Sequence, residues 1–440
     1  MKLAVWSPLP PSPSGIADYV AEQLPALAAR AEVLCVVEDP ASVDPRVAAA
    51  ARLVRPADVP PVDLHLYHLG NSPAHGYVYR AACAVPGVAV LHEWNLHHLV
   101  LHETLERGDR QAYFREIRRS WGDKGTFVGH QVARGLGGEL LPALFALNDS
   151  VLRNSLAVVG LTEYTCSRAE LALWGRPVLH LRHHVSLPEG LPTREEARRA
   201  LGLPDSAFVL CAPGLATAHK RLDVALRAVG RLRDRHPQVV LVVAGGVDPA
   251  LPLAAWSEEA SMGDALRVTG RLELADFIRH LVAADAVLCL RFPTYGETSG
   301  ALLRSLGLGR PVIVTAGTPL CDEFPPGVVV PIAPGAREDA EMDAFLDLLI
   351  DNPGTRERIG GVACDYVRDE HDLGKSVARL VAFLGEVAGR RSELEAVVAS
   401  RQVPEGSLRG YLLDEARFAA LDLGLPGLPA EVGDILDMER

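Results

Sequence analysis

One polar segment in the second half of the 440-residue chain has residue types suited to binding an anion. In APGLATAHKRLDVALRAVGRL, Lys220 and Arg221 follow a glycine-containing loop that includes Gly214, and they stand at the start of a predicted helix. Ammonium and guanidinium groups beside the amides of a helix terminus make charge-assisted hydrogen bonds with phosphate oxygens. A solvated charge pair on an amphipathic helix is the alternative. Because the chain holds only four lysines, a lysine at this loop position favours a diphosphate.

A second polar segment, YGETSGALLRSLGL, lies between two apolar runs that are predicted to be a strand and a helix. Gly296 and Gly300 bracket Glu297, Thr298 and Ser299. Either hydroxyl can cap the helix, and the amides of the first helical turn form a partly positive anion pocket. A carboxylate would repel a phosphate there, so we expect Glu297 to bind neutral hydroxyls, for example those of a sugar. An ordinary capped helix accounts for Ser299 but not for the paired glycines.

Three histidines follow the fourth predicted strand of the first half, in VLHEWNLHH. His97 and His98 could suggest a metal, but no further ligand stands at a suitable spacing, so we expect no metal site. His92 is placed at the end of the strand, where its ring could hydrogen-bond a substrate hydroxyl or the reacting group next to it. A core histidine with satisfied hydrogen bonds is the alternative.

A proline-rich loop follows the first strand and leads into a helix, in SPLPPSPSGIADYV. Ser14 is a candidate N-cap, and Gly15 would allow another group to approach the exposed helix amides. On these residues alone, a rigid loop with an ordinary cap is the favoured interpretation.

Short apolar runs of strand length alternate with helical patterns through both halves of the chain. They lie at 2–7, 31–37, 63–69, 88–94 and 156–162, and again at 208–214, 238–246, 266–272, 285–292, 310–317 and 327–333. This alternation predicts an α/β fold with two Rossmann-like doubly wound parallel-sheet domains. Because loops at the carboxyl ends of parallel strands carry ligand sites, we expect the site in a cleft between the two domains.

The same patterns predict where the domains begin and end. We place an N-terminal domain at 1–185, with a helical insertion at about 100–154, and a C-terminal domain at 186–385. A tail at 386–440 carries apolar residues (Leu412, Phe418, Leu421, Leu425 and Leu436) and is expected to pack back onto a domain, with the N-terminal domain as one candidate.

Composition excludes several classes of function. A net charge of −12 argues against a nucleic-acid partner. The seven cysteines are far apart and lack ligand spacing, so they are interpreted as reduced core residues. No signal peptide and no apolar stretch long enough to cross a membrane are found, which predicts a cytoplasmic protein and leaves peripheral membrane contact open.

Taken in order, these segments resemble the retaining nucleotide-sugar glycosyltransferases of the two-domain GT-B fold, specifically glycosyltransferase family 4. The resemblance covers most of residues 1–385 and is strongest in the second domain, in GLATAHKRLDVALRAVGRL, VVLVVAGG, RVTGRLELADFIRHLVAADAVLCL and YGETSGALLRSLGLGRPVIV. In the first domain, SGIADY, HLGNSPAHGYVY and VLHEWNLHH resemble the acceptor-side half of a subset of these enzymes.

The resemblance implies roles for two groups that bind the donor and the sugar. A family lysine that contacts the donor diphosphate corresponds to Lys220, and a family histidine near the transferred sugar corresponds to His92. An arginine that usually accompanies the lysine is replaced here by Leu215, which leaves Arg221 as a substitute cation.

The family also carries two glutamates, at positions that correspond to Gly296 and Arg304 in this chain. Glu297 stands one residue after the first position, where the family glutamate faces the sugar. Arg304 occupies the second position, where a glutamate usually binds the nucleotide ribose and where an arginine cannot accept a hydroxyl proton. The Gly-Glu-Thr-Ser form is associated with a coherent branch of these enzymes.

The activity implied is retaining transfer of a sugar from a nucleotide-diphosphate sugar to a small-molecule, glycan or lipid-linked hydroxyl, with no metal and no cofactor beyond this co-substrate. A nucleotide-sugar epimerase on the same fold is one alternative. A non-catalytic partner subunit that binds nucleotide sugars is another, suggested by Leu215 and Arg304. A dinucleotide oxidoreductase is disfavoured, because no strand is followed by G-x-G-x-x-G with an acid about 20 residues later.

Overall fold

The computed structural model describes residues 1–173 and 175–401, together with positions 412, 413, 415, 416, 419, 431, 432 and 435. The chain forms two compact units. The first contains residues 1–183, the short segment 295–298 and the described residues from 374 onward, and the second contains 184–294 and 299–373. Of the predicted tail at 386–440, most lies outside the described residues, including Phe418, Leu421, Leu425 and Leu436.

The first unit is built on a seven-stranded parallel sheet in the order β3-β2-β1-β4-β5-β6-β7. Its strands are β1 (Lys2–Trp6), β2 (Glu32–Val36), β3 (Arg52–Val54), β4 (Leu64–Leu69), β5 (Gly87–Leu91), β6 (Ser155–Gly160) and β7 (Val178–His180). Its first eight helices are α1 (Gly15–Ala28), α2 (Pro45–Ala48), α3 (Gly76–Ala84), α4 (His97–Glu103), α5 (Arg110–Val132), α6 (Leu140–Leu144), α7 (Asp149–Asn154) and α8 (Glu163–Leu173). Four of them, α4 to α7, occupy the segment between β5 and β6.

The second unit repeats this plan with six parallel strands in the order β10-β9-β8-β11-β12-β13. The strands are β8 (Phe208–Pro213), β9 (Val239–Ala244), β10 (Leu266–Val268), β11 (Ala286–Cys289), β12 (Val312–Thr315) and β13 (Val330–Ile332). The helices are α9 (Arg194–Ala200), α10 (Leu222–Arg233), α11 (Leu253–Glu259), α12 (Leu274–Ala283), α13 (Gly300–Gly307), α14 (Pro319–Asp322), α15 (Glu338–Asp351) and α16 (Pro353–Glu370).

Two further helices return the chain to the first unit: α17 (Leu373–Gly389) and α18 (Arg391–Arg401). The Arg391 guanidinium donates to the carbonyls of Val62 and Asp63, at 2.9 and 2.8 Å, and so attaches the start of α18 to the loop before β4.

Both sheets are apolar on both faces, because helices cover each side of a parallel sheet. The strands β1, β4, β5 and β6 are almost wholly buried in the first unit, and β8, β9, β11 and β12 in the second. Strand order reverses between β1 and β4 in one sheet and between β8 and β11 in the other. The predicted α/β fold class, with two Rossmann-like doubly wound parallel sheets, is confirmed.

A buried ion cluster joins helix and sheet at the amino ends of the strands in the second unit. Asp285, 3% exposed, accepts hydrogen bonds from the backbone amide of Val209 at 2.8 Å, from Arg194 at 2.7 Å and from the buried guanidinium of Arg198. Burial lowers the pKa of nearby Arg310, and the charge of Arg194 adds to this effect. The carboxylate therefore compensates several arginines at once.

We expect Asp285→Asn to lower the free energy of unfolding by about 3–5 kcal/mol, because it leaves the buried guanidinium of Arg198 without a counter-charge. Asp223→Asn is the matched control, since Asp223 pairs with Arg227 on the exposed surface of α10 at 2.9 Å, where such a pair contributes less than about 1 kcal/mol. Urea unfolding measures both variants. Equal losses would contradict the assignment of Asp285 as a buried anchor.

Candidate active site

The second unit has a small pocket at the point where its strand order reverses. The ends of β8 and β11 line it, with Gly214, Lys220 and Arg291 among its residues. Gly214 has φ +80°, and a Cβ on Gly245 would lie 2.5 Å from the Gly214 carbonyl, so the two loops approach as closely as glycines allow. A pocket outside the carboxyl ends of parallel strands at a switch point is the usual ligand site of this fold class.

Lys220 lies in this pocket, as the loop position suggested. It ends a short 3-10 helix, Ala218–Lys220, and its Nζ is 3.4 Å from the Pro213 carbonyl. The same nitrogen is 3.0 Å from the position that a Cβ would take on Gly214. The structure thus brings the two predicted residues Gly214 and Lys220 together, with the ammonium group directly beside the glycine turn.

Arg221 is adjacent in sequence but has a different partner. Its backbone is left-handed at φ 54°, and its guanidinium binds both carboxylate oxygens of Glu338, at 2.6 and 2.8 Å. Both side chains are largely buried. The interaction ties the start of α10 to the start of α15, and it gives this guanidinium a structural partner instead of an open position for a phosphate.

Sequence reasoning missed Arg291, which supplies a second cation to the pocket. It lies two residues after the end of β11, and its guanidinium donates to the hydroxyl of Ser299 at 3.1 Å. That hydroxyl also caps α13 by accepting from the Leu302 amide at 3.3 Å, so Ser299, one of the two hydroxyls considered from the sequence, is the N-cap, and Gly300 is the first helical residue. A cation near the carboxyl end of a buried strand is the signal that could have identified Arg291.

Arg304 lies inside α13 and is 7% exposed. One of its guanidinium nitrogens is 3.4 Å from the carbonyl of Gly300, one turn earlier in the same helix. The side chain therefore lies along the first turn of α13 and adds positive charge beside the helix N-terminus.

The remaining residues of the Gly-Glu-Thr-Ser segment belong to the first unit. The Asn95 amide donates to the Tyr295 carbonyl at 3.0 Å, and the Thr298 amide donates to the His92 carbonyl at 3.3 Å. We call residues 295–298, held in this way, the clasp turn. Because the Thr298 amide donates to the His92 carbonyl, it does not contribute to the anion pocket that we expected at the start of the helix.

Gly296 allows the clasp turn to form. It has φ +72°, and a Cβ there would lie 2.7 Å from the Tyr164 ring and 2.9 Å from the Cβ of Trp94. Glu297, 7% exposed, accepts from the Tyr295 amide at 2.7 Å through one carboxylate oxygen. Burial and a hydrogen bond to Glu139 raise the pKa of the Tyr295 phenol. The phenol therefore stays protonated and donates to the carboxylate of Glu139 at 2.6 Å.

His92 begins the segment that holds the clasp turn. Its ring is 6% exposed, its Nε2 lies 3.1 Å from Nδ1 of His68, and the ring of Tyr19 stands perpendicular to it at 4.9 Å. The structure thus brings His92 and Glu297 into one unit, whereas Lys220 and Ser299 belong to the other.

The loop after β1 has the geometry that Ser14 and Gly15 predicted. The Ser14 hydroxyl accepts from the Ile16 amide at 3.2 Å and lies 3.4 Å from Nε2 of His75. A Cβ on Gly15 would meet no atom within 4 Å, so the start of α1 is open to another group.

His97 and His98 have protein partners of their own. His97 lies between the Phe145 carbonyl, at 2.6 Å, and the Tyr113 hydroxyl, at 3.0 Å, and burial lowers its pKa to about 4. His98 lies 3.2 Å from Glu139. Within residues 1–173 and 175–401, no group of three or more histidine, cysteine or acidic side chains is placed to hold a metal ion. No described helix is both long and apolar enough to cross a bilayer.

Residues 193–363 match the family model described as glycosyl transferases group 1. This range contains Lys220, Arg291, Ser299 and Arg304 and therefore the whole pocket of the second unit. A similar protein is the D-inositol 3-phosphate glycosyltransferase of Kribbella flavida, at 31% identity over 185 residues, which are 39% of this chain and 42% of the relative. The chain thus spans less than half the length of the curated relative it matches.

Solved structures are similar over most of the chain. HepE of Anabaena in complex with UDP and glucose matches with a TM-score of 0.59 at 14% identity, covering 88% of this chain and 100% of HepE. Sucrose-phosphate synthase from Thermosynechococcus elongatus matches with a TM-score of 0.57 at 14% identity, covering 88% and 98%. At this identity the likeness shows the fold, and the GT-B fold class predicted from the sequence is confirmed.

We expect Gly296→Ala to destabilise the first unit by more than left-handed strain alone, because the added methyl group meets Tyr164 and Trp94. Gly270→Ala is the matched control, since Gly270 has φ +71° with no atom within 4 Å of a Cβ. Strain alone costs about 1–3 kcal/mol in each variant. Urea unfolding gives the difference in the free energy of unfolding between the two variants. If Gly296→Ala loses no more stability than Gly270→Ala, the close approach of Tyr164 and Trp94 to position 296 is contradicted.

Arg221→Met is expected to lower the free energy of unfolding by about 3–5 kcal/mol, because it leaves the buried carboxylate of Glu338 unpaired. Replacing both partners, in Arg221→Met with Glu338→Met, should recover much of this loss. Urea unfolding of the two single variants and the double variant gives the interaction free energy between Arg221 and Glu338. Unchanged stability in Arg221→Met would mean that this guanidinium is held for another purpose.

Proposed function

We propose that the chain is a glycosyltransferase that moves a sugar from a nucleotide-diphosphate sugar to a hydroxyl acceptor, with retention of configuration and without a metal ion. The carrying observation is the switch-point pocket of the second unit, where Lys220, Arg291 and the N-terminus of α13 converge. Two cations and a helix N-terminus suit a diphosphate, because each favours negative charge. The family match over 193–363 and the likeness to HepE with bound UDP support this assignment.

The chemical problem is the negative charge that builds up on the leaving diphosphate as the glycosidic bond breaks. Lys220, Arg291 and the free amides at the start of α13 stabilise this charge more strongly in the transition state than in the ground state. Losing one such donor costs about 2.7–4 kcal/mol of barrier. Arg291, and not Arg221, is the proposed second cation at the diphosphate, because Arg221 is paired with Glu338.

Retention requires the acceptor to attack the same face of the sugar that the diphosphate leaves. In this step the bond from the anomeric carbon to the phosphate oxygen breaks, and a bond to the acceptor oxygen forms. The acceptor proton passes to the departing phosphate oxygen, so that charge and atoms balance. Glu297 and His92 are the proposed contacts to the hydroxyls of the sugar, and both belong to the first unit.

The match to the relatives does not identify the base or the sugar of the donor, nor the acceptor, of this chain. The family match covers 193–363, which contains the proposed diphosphate site but not the first 192 residues, where the segments that resemble an acceptor-side half lie. The inositol phosphate in the Kribbella relative's name therefore describes that relative alone.

We expect Lys220→Met to weaken binding of nucleoside diphosphates about 10- to 100-fold, because a hydrogen bond to a charged group contributes about 1.5–3 kcal/mol. Arg291→Met should weaken it to a similar degree. Lys124→Met, at an exposed position of α5, is the matched control and should bind as the unchanged protein does. Calorimetry with a panel of nucleotide sugars measures each affinity.

Turnover of the donor, with and without candidate acceptors, is followed in parallel. Failure of every nucleoside diphosphate to bind, or unchanged binding by Lys220→Met, would refute the proposal. Conversion of the donor into an isomer without an acceptor would instead establish the epimerase alternative. Binding without any turnover would establish the non-catalytic subunit.

A further inference from the structure

Three polar side chains form a buried cluster, of which one contacts His92, and they have no part in the proposed chemistry. Gln23 in α1 is 1% exposed, His68 in β4 is 1% exposed and His75 is fully buried. Burying a polar group is unfavourable unless it is hydrogen-bonded. The hydrogen bonds that these side chains make therefore need to be identified one by one.

The side-chain amide nitrogen of Gln23 determines which atoms of this cluster donate hydrogen bonds and which accept them. Its Nε2, which can only donate, lies 3.3 Å from Nε2 of His68. That imidazole nitrogen must accept, so the proton of a neutral His68 is on Nδ1. His68 Nδ1 in turn lies 3.1 Å from Nε2 of His92. The hydrogen bond therefore runs from His68 to His92, and Nε2 of His92 is the acceptor.

We propose that Gln23 and His68 are positioning residues that hold His92 as the neutral tautomer with its proton on Nδ1. In this state Nε2 accepts the hydrogen bond from His68 and Nδ1 carries the ring proton, so that Nδ1 can act only as a donor. The tautomer assignment stands on the contacts of the first unit, whereas its consequence for sugar transfer rests on the proposed function.

The surrounding backbone keeps the two rings in register. His68 belongs to β4, and His92 directly follows the neighbouring strand β5, which pairs with β4 through Leu69 and Leu91. The His92 amide donates to the Leu69 carbonyl at 3.1 Å. On the other side, Nδ1 of His75 donates to the His68 carbonyl at 2.9 Å, and burial lowers the pKa of His75 to about 4, so this ring stays neutral near pH 7.

The assignment restricts what His92 can do. A protonated His92 would carry N–H groups on both nitrogens and would place Nε2–H against the Nδ1–H of His68, two donors facing each other. His92 is consequently unsuited to take the acceptor proton through Nε2. This agrees with the proposed route, in which the acceptor proton leaves with the phosphate.

Imidazole nitrogen resonances of protein labelled with 15N-histidine test the tautomers directly. The signals are assigned by comparison with the single variants His68→Asn and His92→Asn. In the unchanged protein we expect His92 Nε2 to be unprotonated and Nδ1 protonated, with the same pattern for His68. A His92 protonated on Nε2 would overturn the proposal.

Gln23→Glu places an acceptor where the amide donated, so Nε2 of His68 should gain a proton. Gln131→Glu on α5 makes the same charge change outside the cluster and should leave both histidines as they were. Unchanged His68 resonances in Gln23→Glu would also overturn the proposal. The measurement needs no donor or acceptor, so it is independent of catalysis.

Kinetics then separate positioning from simple structural support. His68→Phe keeps a ring but removes the nitrogen that donates to His92, and we expect kcat to fall about tenfold with little change in the KM of the donor. His68→Asn retains a donor near the Nδ1 position and should recover most of the loss. Equal kcat in the two variants, both folded by circular dichroism, would contradict the positioning role. Correct tautomers with no turnover of any donor would refute the proposed function and leave the tautomer assignment intact.

Discussion

The hydrogen bonds that hold the clasp turn against the segment after β5 decide where two of the proposed sugar contacts lie. Asn95 and Thr298 supply the amides, and the carbonyls of Tyr295 and His92 accept them. These bonds join backbone to backbone, so they place Glu297 near His92 independently of any side-chain conformation. They require a left-handed residue without a side chain at 296, which is why glycine precedes the glutamate.

The cations of the second unit named above divide into arginines that pair with buried carboxylates and cations that line the pocket. Arg221 and Arg198 are paired with buried carboxylates, Glu338 and Asp285, and contribute to holding helices on the sheet. Lys220 and Arg291 instead line the pocket at the carboxyl ends of the strands. A guanidinium with its own carboxylate provides little net charge for a phosphate, so neighbours in sequence such as Lys220 and Arg221 can differ in the positive charge that they offer to a ligand.

Local pattern in the sequence was enough to predict the alternation of strands and helices and therefore the fold class. The strand β3 was missed because Arg52–Val54 is too short to produce a periodic signal, and the predicted strand at 88–94 ends in fact at Leu91. For the site, glycine and capping residues signal their own local conformations, which is why Gly214, Gly296 and Ser299 could be recognised. The partner of Arg221 could not, because Glu338 is 117 residues away in the chain and only the tertiary fold brings them together.

A histidine inside a buried parallel strand indicates that its ring nitrogens have hydrogen-bond partners in the fold. A strand covered on both faces normally reads as a continuous apolar run, yet β4 has the sequence LHLYHL, with His68 at 1% exposure. Keeping an imidazole there is favourable only if both nitrogens have complementary partners, which Gln23 and His92 supply. An apolar residue at 68 would pack at lower desolvation cost but would leave the tautomer of His92 undetermined. The polar residue in the core is thus accounted for by its contacts with Gln23 and His92.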